Sequence, residues 1–331
     1  MKVLRLHAPG DLRLHDELLP ACGADESLVG IRAVGICGSD LHWFREGSIG
    51  DARLDKPLVL GHEFAGVTET GEQVAIDPAI PCDDCEWCKK GHPNLCVNMS
   101  FAGHGTQDGA LREFMPWPQK CLHRLPDSIS AADGAMLEPL GVAIHAVDLG
   151  KLKAGMSVGV FGSGPIGLLI IQMSKLSGAA QIIATDKLIH RVEAAKGFGA
   201  NQAFLVDDRR GREEMRAALK ERGVDVAFEA AGVQDAVDDA FDAVLPGGNV
   251  ILAGIPDDDK TSFSASNARR KGLTVKLVRR MKHTYPRAID LVARRLIDVR
   301  SLVTHRFTLD QAAEAFAVAG RREGLKIIIE I

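Results

Sequence analysis

The stretch Ser157-Val158-Gly159-Val160-Phe161-Gly162-Ser163-Gly164-Pro165-Ile166-Gly167 decides how the second half of this chain folds. A short apolar run leads into G-x-G-x-x-G, and an apolar helical segment, residues 165–177, follows. Glycine triplets arise by chance in glycine-rich loops, so the pattern alone is weak. Between a strand and a helix it stands in the context that dinucleotide binding requires. Gly162 permits the tight turn, and Gly164 lets the backbone approach a pyrophosphate. Gly167 lets helix and strand pack closely, and the helix opened by Pro165 and Ile166 turns its N-terminus to the anion. Asp186 follows about twenty residues past the loop, at the end of the next apolar run. Its carboxylate can accept both ribose hydroxyls of NAD and would repel the 2′-phosphate of NADP; the alternative is a helix N-cap. Arg191 either lies along the adenosine or is a solvated helix arginine.

Working outward from the loop, strands are expected at residues 157–161, 181–185, 202–206, 225–229, 249–253 and 273–278. Helices are expected between them at 165–177, 191–198, 213–221 and 236–245. That alternation implies a doubly wound parallel sheet. Residues 1–80 instead alternate short β-like runs (3–6, 28–34, 64–68, 74–76) with glycine and proline, as a small all-β lobe would. A further β-like run at 110–116 leads to a helix at 135–147. Past Pro286 come a helix at 287–295, a strand at 303–307, a helix opened by the capping-box pattern Thr308-x-x-Gln311, and a closing strand at 325–331. This tail falls outside the alternating series and is expected to rejoin the first lobe. The expected domains are therefore 1–144, 145–280 and 281–331, the last returning to the first.

The second decisive stretch is Pro81-Cys82-Asp83-Asp84-Cys85-Glu86-Trp87-Cys88, closed by Cys96. C-x-x-C turns point sulfurs inward from a tight loop, and four thiolates hold zinc in a closed, structural tetrahedron. A chance cluster or a disulfide pair is the bland alternative, disfavoured by so dense a grouping. Such a site folds a lobe and does no chemistry.

The chain of 331 residues is long enough for two domains. With 46% hydrophobic and 25% charged residues it has an ordinary globular composition. A net charge of −4 gives no electrostatic reason to expect nucleic acid or an anionic membrane as partner. The most apolar stretch, 158–173, is broken by glycines and a proline and falls short of a bilayer span. Seven cysteines, with Cys22 and Cys121 left unpaired beside the ligand sets, suggest a reducing compartment, so the cytoplasm is expected.

Two further motifs carry chemistry: Gly35-Ile36-Cys37-Gly38-Ser39-Asp40-Leu41-His42 and Gly61-His62-Glu63-Phe64. A lone cysteine is usually packing and a lone histidine usually a satisfied polar residue. Beside a cofactor loop they read as a mixed sulfur, nitrogen and oxygen metal site with one position open for water or substrate.

These motifs, the four-cysteine loop, Glu138-Pro139-Leu140 and Gly-x-Gly-Pro-Ile-Gly occur in this order. The chain thereby resembles the zinc-dependent medium-chain dehydrogenases, and within them the sorbitol, xylitol and L-idonate dehydrogenases. The resemblance spans essentially the whole chain. It implies an α/β fold, with a Rossmann doubly wound parallel sheet inserted in a mostly-β GroES-like catalytic domain. It also implies two zinc ions per chain, one catalytic and one structural, NAD as cofactor, a small alcohol or polyol as substrate, and a homodimer or homotetramer. Cys37 and His62 match the catalytic zinc ligands, and Glu63 matches a carboxylate that ligates zinc directly in polyol dehydrogenases. Glu138 matches a glutamate that reaches the metal directly or through its water. Ser39 and His42 match a relay carrying the alcohol proton to solvent, and Arg280 matches an arginine near the substrate hydroxyls. The reaction implied is oxidation of a secondary alcohol to a ketone by hydride transfer, in a cleft between the lobes. Threonine-type and 2,3-butanediol-type dehydrogenases, or a non-catalytic zinc- and nucleotide-binding relative, are the alternatives.

The chain departs from the family in three places. Segment 67–74 is shorter than usual, so a loop and part of a strand are expected to be missing. Trp43 and Met281 stand where sorbitol dehydrogenases often have tyrosines, which removes hydroxyls from the expected pocket and leaves room for a less polar alcohol.

Overall fold

The computed structural model of the chain describes residues 1–220 and 223–331. They form two compact units, Met1–Glu138 with Tyr285–Ile331, and Pro139–Thr284. The breaks thus fall at 138/139 and 284/285, a few residues from those expected at 144/145 and 280/281.

In the first unit the strand Glu26–Gly35 is the centre of a seven-stranded sheet. It pairs antiparallel with Glu63–Thr68, with Phe114–Pro118 and with the C-terminal strand Lys326–Glu330. The last of these pairs parallel with Val303–Thr308, so the tail does rejoin the first unit. Leu6, Ile31, Phe64, Ile76, Trp117 and Phe316 lie fully inside the core packed on this sheet. Segment 67–74 closes as a hairpin: Glu63–Thr68 and Gln73–Ile76 pair directly, through a turn in which Gly71 takes φ 84°. Expected strand 110–116 is displaced to Phe114–Pro118. The expected helix 135–147 is split into Ala131–Ala135 and Leu137–Gly150, and Ser130 caps the first by accepting the Asp133 N–H at 3.2 Å. A helix that patterning did not show, Gly38–Glu46, follows the central strand. Gln311 Oε1 accepts the Thr308 N–H at 3.0 Å, and a 3₁₀ turn there runs into the helix Ala312–Arg321.

In the second unit six parallel strands lie in the order Gln202–Leu205, Gln181–Asp186, Ser157–Phe161, Val224–Glu229, Val244–Leu252, Thr274–Leu277. Numbered along the chain this is 3-2-1-4-5-6, the doubly wound dinucleotide-binding order. Ser157–Phe161 is buried throughout, as a central strand covered on both faces must be. The expected helix 213–221 begins earlier, at Arg209, and is described to Lys220; Glu221 lies outside the described residues. Among the described residues no helix is long and apolar enough to cross a membrane.

Gly167 sits in the first turn of the helix Pro165–Leu176, and a Cβ there would overlap the Gly162 carbonyl oxygen. Helix propensity alone would reward Gly167→Ala by about 1 kcal/mol. Overpacking against backbone costs about 1–3 kcal/mol, and backbone does not yield as a side chain does. Gly167→Ala is therefore expected to lower the urea midpoint followed by circular dichroism; a raised midpoint would show that propensity wins.

Candidate metal centres and dinucleotide loop

The first cluster is assembled by one buried carboxylate. Cys37 caps the helix Gly38–Glu46, and Asp40 Oδ2 in its first turn accepts the Cys37 N–H at 2.9 Å. Asp40 Oδ1 accepts the Gly61 N–H at 3.2 Å and lies 3.4 Å from His62 Nδ1. Asp40 thus ties together the two segments that bear the candidate ligands. With Nδ1 so held, Nε2 is the nitrogen left for a metal, and it lies 3.3 Å from Ser39 Oγ. Cys37, His62 and Glu63 each offer a donor atom within 4.8 Å of the others.

The electrostatics are those of a cation site. Burial opposes a charged imidazole, yet the Asp40 carboxylate and the Cys37 sulfur outweigh it and hold the His62 pKa well above its ordinary value. Burial likewise opposes ionised Asp40, but His62 and the two backbone N–H groups keep its pKa low. A thiolate and a carboxylate around a neutral imidazole would balance the two charges of Zn²⁺, and sulfur, nitrogen and oxygen are its preferred donors. The residues fit the ion. Glu138 is outside this set of three donors, though buried. Burial first, and the neighbouring Glu63 carboxylate, push its pKa up to about 7, against the opposing pull of His62.

The remaining expected residues fall as follows. His42 lies one turn after Ser39, its Nδ1 3.6 Å from Glu46 Oε1. Trp43 belongs to the core of the first unit, 1% exposed, with its ring edge-on to His104 at 5.7 Å. Arg280 belongs to the second unit and takes the left-handed φ of 55°. Met281 is buried, and its sulfur stands against Gly141, 2.6 Å from where a Cβ there would be. Two residues of the site escaped the sequence reading. Asp40 had a signal, since Cys37-x-x-Asp40 has capping-box spacing. Lys326, whose ammonium pairs with Glu63 Oε2, was marked only as a lysine within the apolar run Lys326-Ile327-Ile328-Ile329.

The sulfurs of Cys82, Cys85, Cys88 and Cys96 converge within 4.8 Å of one another. The Cys82–Cys96 and Cys85–Cys88 separations, 3.4 and 3.5 Å, are far longer than the S–S bond of about 2.05 Å. They approach the edge of about 3.8 Å that a tetrahedron with 2.3 Å zinc–sulfur bonds requires. Backbone N–H groups of Asp84 and Cys85 point at Cys82 and push its pKa down to about 6, which favours the ligating thiolate. This loop also fits zinc.

In the second unit Gly162 takes φ 103°, and a Cβ would stand 2.7 Å from that of Ala231. Asp186 Oδ2 accepts the Ser163 N–H and Oδ1 the Leu188 N–H, both at 2.9 Å. The carboxylate therefore locks the loop to the end of the second strand, whereas the cap of the next helix is Leu188. Arg191 lies along the same loop, Nη1 3.5 Å from the place a Gly164 side chain would take.

Comparison with known proteins agrees with this geometry. The zinc-binding dehydrogenase family model matches residues 165–294, and the alcohol dehydrogenase GroES-like domain model matches 23–127. The chain is 33% identical to sorbitol dehydrogenase of Bacillus subtilis, over 99% of this chain and 97% of that one. It is 35% identical to the Homo sapiens sorbitol dehydrogenase, over 99% and 95%. Among solved structures, L-idonate 5-dehydrogenase of Escherichia coli superposes with a TM-score of 0.91 at 25% identity, covering 100% of this chain and 98% of that one. A zinc-binding dehydrogenase of Sinorhizobium meliloti bound to NADP gives 0.89 at 29% identity, covering 100% and 99%. An Escherichia coli alcohol dehydrogenase complexed with NADH gives 0.92 at 27% identity, with the same coverage.

Asp40→Asn keeps the shape and removes the charge behind His62. Loss of such an outer partner typically weakens a metal about 10–100-fold. Metal analysis after mild dialysis is expected to show the first cluster emptied and the four-cysteine loop filled. Equal retention at both would show that Asp40 does not support the ligands.

Proposed function

The chain belongs to the zinc-dependent medium-chain alcohol and polyol dehydrogenases, and from that membership we propose that it oxidises a secondary alcohol or polyol to the ketone with NAD as hydride acceptor. The observation that carries the reading is the convergence of Cys37, His62 and Glu63 within 4.8 Å, with Ser39 Oγ 3.3 Å from His62. When bound, zinc supplies the Lewis acidity that makes a hydroxyl acidic near neutral pH, and the nicotinamide takes the hydride. Cys37, His62 and Glu63 would hold the ion, with Glu138 reaching it directly or through water. Cys82, Cys85, Cys88 and Cys96 would hold a second, structural zinc.

The chain's own work is to orient the alcohol and to move a proton. Ser39 Oγ, beside the ligand histidine, is placed to accept the substrate hydroxyl's proton as it leaves. His42, one turn later on the same helix, would pass it to solvent. Arg280 is the proposed substrate contact; Trp43, expected as another, is enclosed in the core and is not one. Gly162, Gly164, Pro165, Ile166 and Gly167 would receive the pyrophosphate, with Arg191 alongside. NAD is favoured over NADP because Asp186 is held rigidly at the end of the second strand, where a 2′-phosphate would meet its charge. The reading extends to a cytoplasmic homodimer or homotetramer, which sedimentation would test.

Nicotinamide reduction is to be followed with polyols, threonine, 2,3-butanediol and simple secondary alcohols, each with NAD and with NADP. A polyol or secondary alcohol should give the highest kcat/KM, with NAD preferred at least tenfold, about 1.4 kcal/mol. Comparable rates with NADP would refute the role given to Asp186. Separately, the purified protein should carry two zinc ions per chain. Cys37→Ala should carry one, lose turnover, and still quench or enhance NADH fluorescence as the parent does; a variant that kept its turnover would place the chemistry elsewhere.

A further inference from the structure

Lys326 is the buried charge that the mechanism leaves unused. Its side chain is 2% exposed and that of its partner Glu63 is 1% exposed. An ammonium is almost never so deeply buried without a fixed counter-charge. The pair is built across three adjacent strands. Glu63 opens one strand, Gly35 opposes it at the end of the central strand, and Gly35 in turn opposes Ile328 of the strand that Lys326 begins. The missing side chain at Gly35 lets the charges meet over the central strand. A Cβ there would overlap Glu63 Oε2 and stand 3.0 Å from Lys326 Cε.

We propose that Lys326 is a positioning residue for the metal: it claims one oxygen of Glu63 and so keeps that carboxylate a weak, exchangeable ligand. The inference rests on the metal reading above. A carboxylate shared with an ammonium donates less to a divalent ion, and a fixed cation close by opposes that ion directly. The ligand set alone would bring the site to neutrality. Asp40 behind His62 adds one further negative charge, which Lys326 offsets, so that negative charge developing on the substrate oxygen is opposed less. Glu63 would thereby be the most weakly held of the three donors. An ion pair that merely fastened the C-terminal strand to the sheet would make none of these differences at the metal.

The test uses the zinc-loaded full chain and follows zinc release to a colorimetric chelator. The catalytic phase is identified as the one missing from Cys37→Ala. Lys326→Met is expected to keep both ions and to release the catalytic one at least about tenfold more slowly, with a lower kcat. Lys326→Arg should restore a release rate near that of the parent. In a Glu63→Gln background, Lys326→Met should change the release rate little, because the carboxylate that the lysine restrains is gone. Should Lys326→Met fold poorly, Lys326→Gln carries the same comparison, neutral but still polar. Release at the parental rate or faster from a folded neutral variant overturns the proposal. A parent holding only the four-cysteine ion would instead overturn the metal reading beneath it.

Discussion

Charges buried beside one another at the end of a β-sheet persist only if each meets a fixed counter-charge. Asp40 faces His62 and Lys326 faces Glu63, all four side chains within 8% exposure. Removing one partner from such a pair typically costs about 3–5 kcal/mol, because the other is left buried and alone. That is a large share of the roughly 5–15 kcal/mol that holds a domain folded. The site is therefore part of the reason the first unit adopts one arrangement of its strands. Asp40 also bonds the backbone of Cys37 and Gly61, so the same carboxylate sets both the electrostatics and the positions of the two segments that bear the candidate ligands.

The second unit meets a different constraint, the closeness of backbone to backbone. Its loop works by what its glycines lack: no Cβ fits between Gly167 and the Gly162 carbonyl, or between Gly162 and Ala231. Asp186 adds the one charge that matters there, held by two backbone N–H groups instead of a counter-ion. A carboxylate so bonded stays in place, as the ribose contact proposed for it requires. Gly35 brings this logic of omission into the first unit, where an absent side chain makes room for an ion pair.

Much of this was legible along the chain because the determining interactions are short-ranged in sequence. The parallel strands announced themselves as apolar runs, the loop as three glycines at fixed offsets, and the thiolate knuckle as C-x-x-C turns. The three donors that converge, Cys37, His62 and Glu63, were legible as candidates too, since they stand in compact motifs. The helix Gly38–Glu46 was not, because a cysteine cap and a short polar run carry no apolar period. Trp43 looked like a pocket residue, yet its ring belongs to the core, a matter of which face of that helix turns inward.

The amino-acid order by itself determined the donor types, the doubly wound topology and the glycine-rich loop, since spacing within a few residues dictates turn, strand and helix. Tertiary structure alone decided which charges oppose which. Asp40 behind His62, and Lys326 reaching Glu63 past Gly35, join residues far apart in the chain. Coulomb energy depends on distance in space and on burial, and neither is written in the spacing of a sequence.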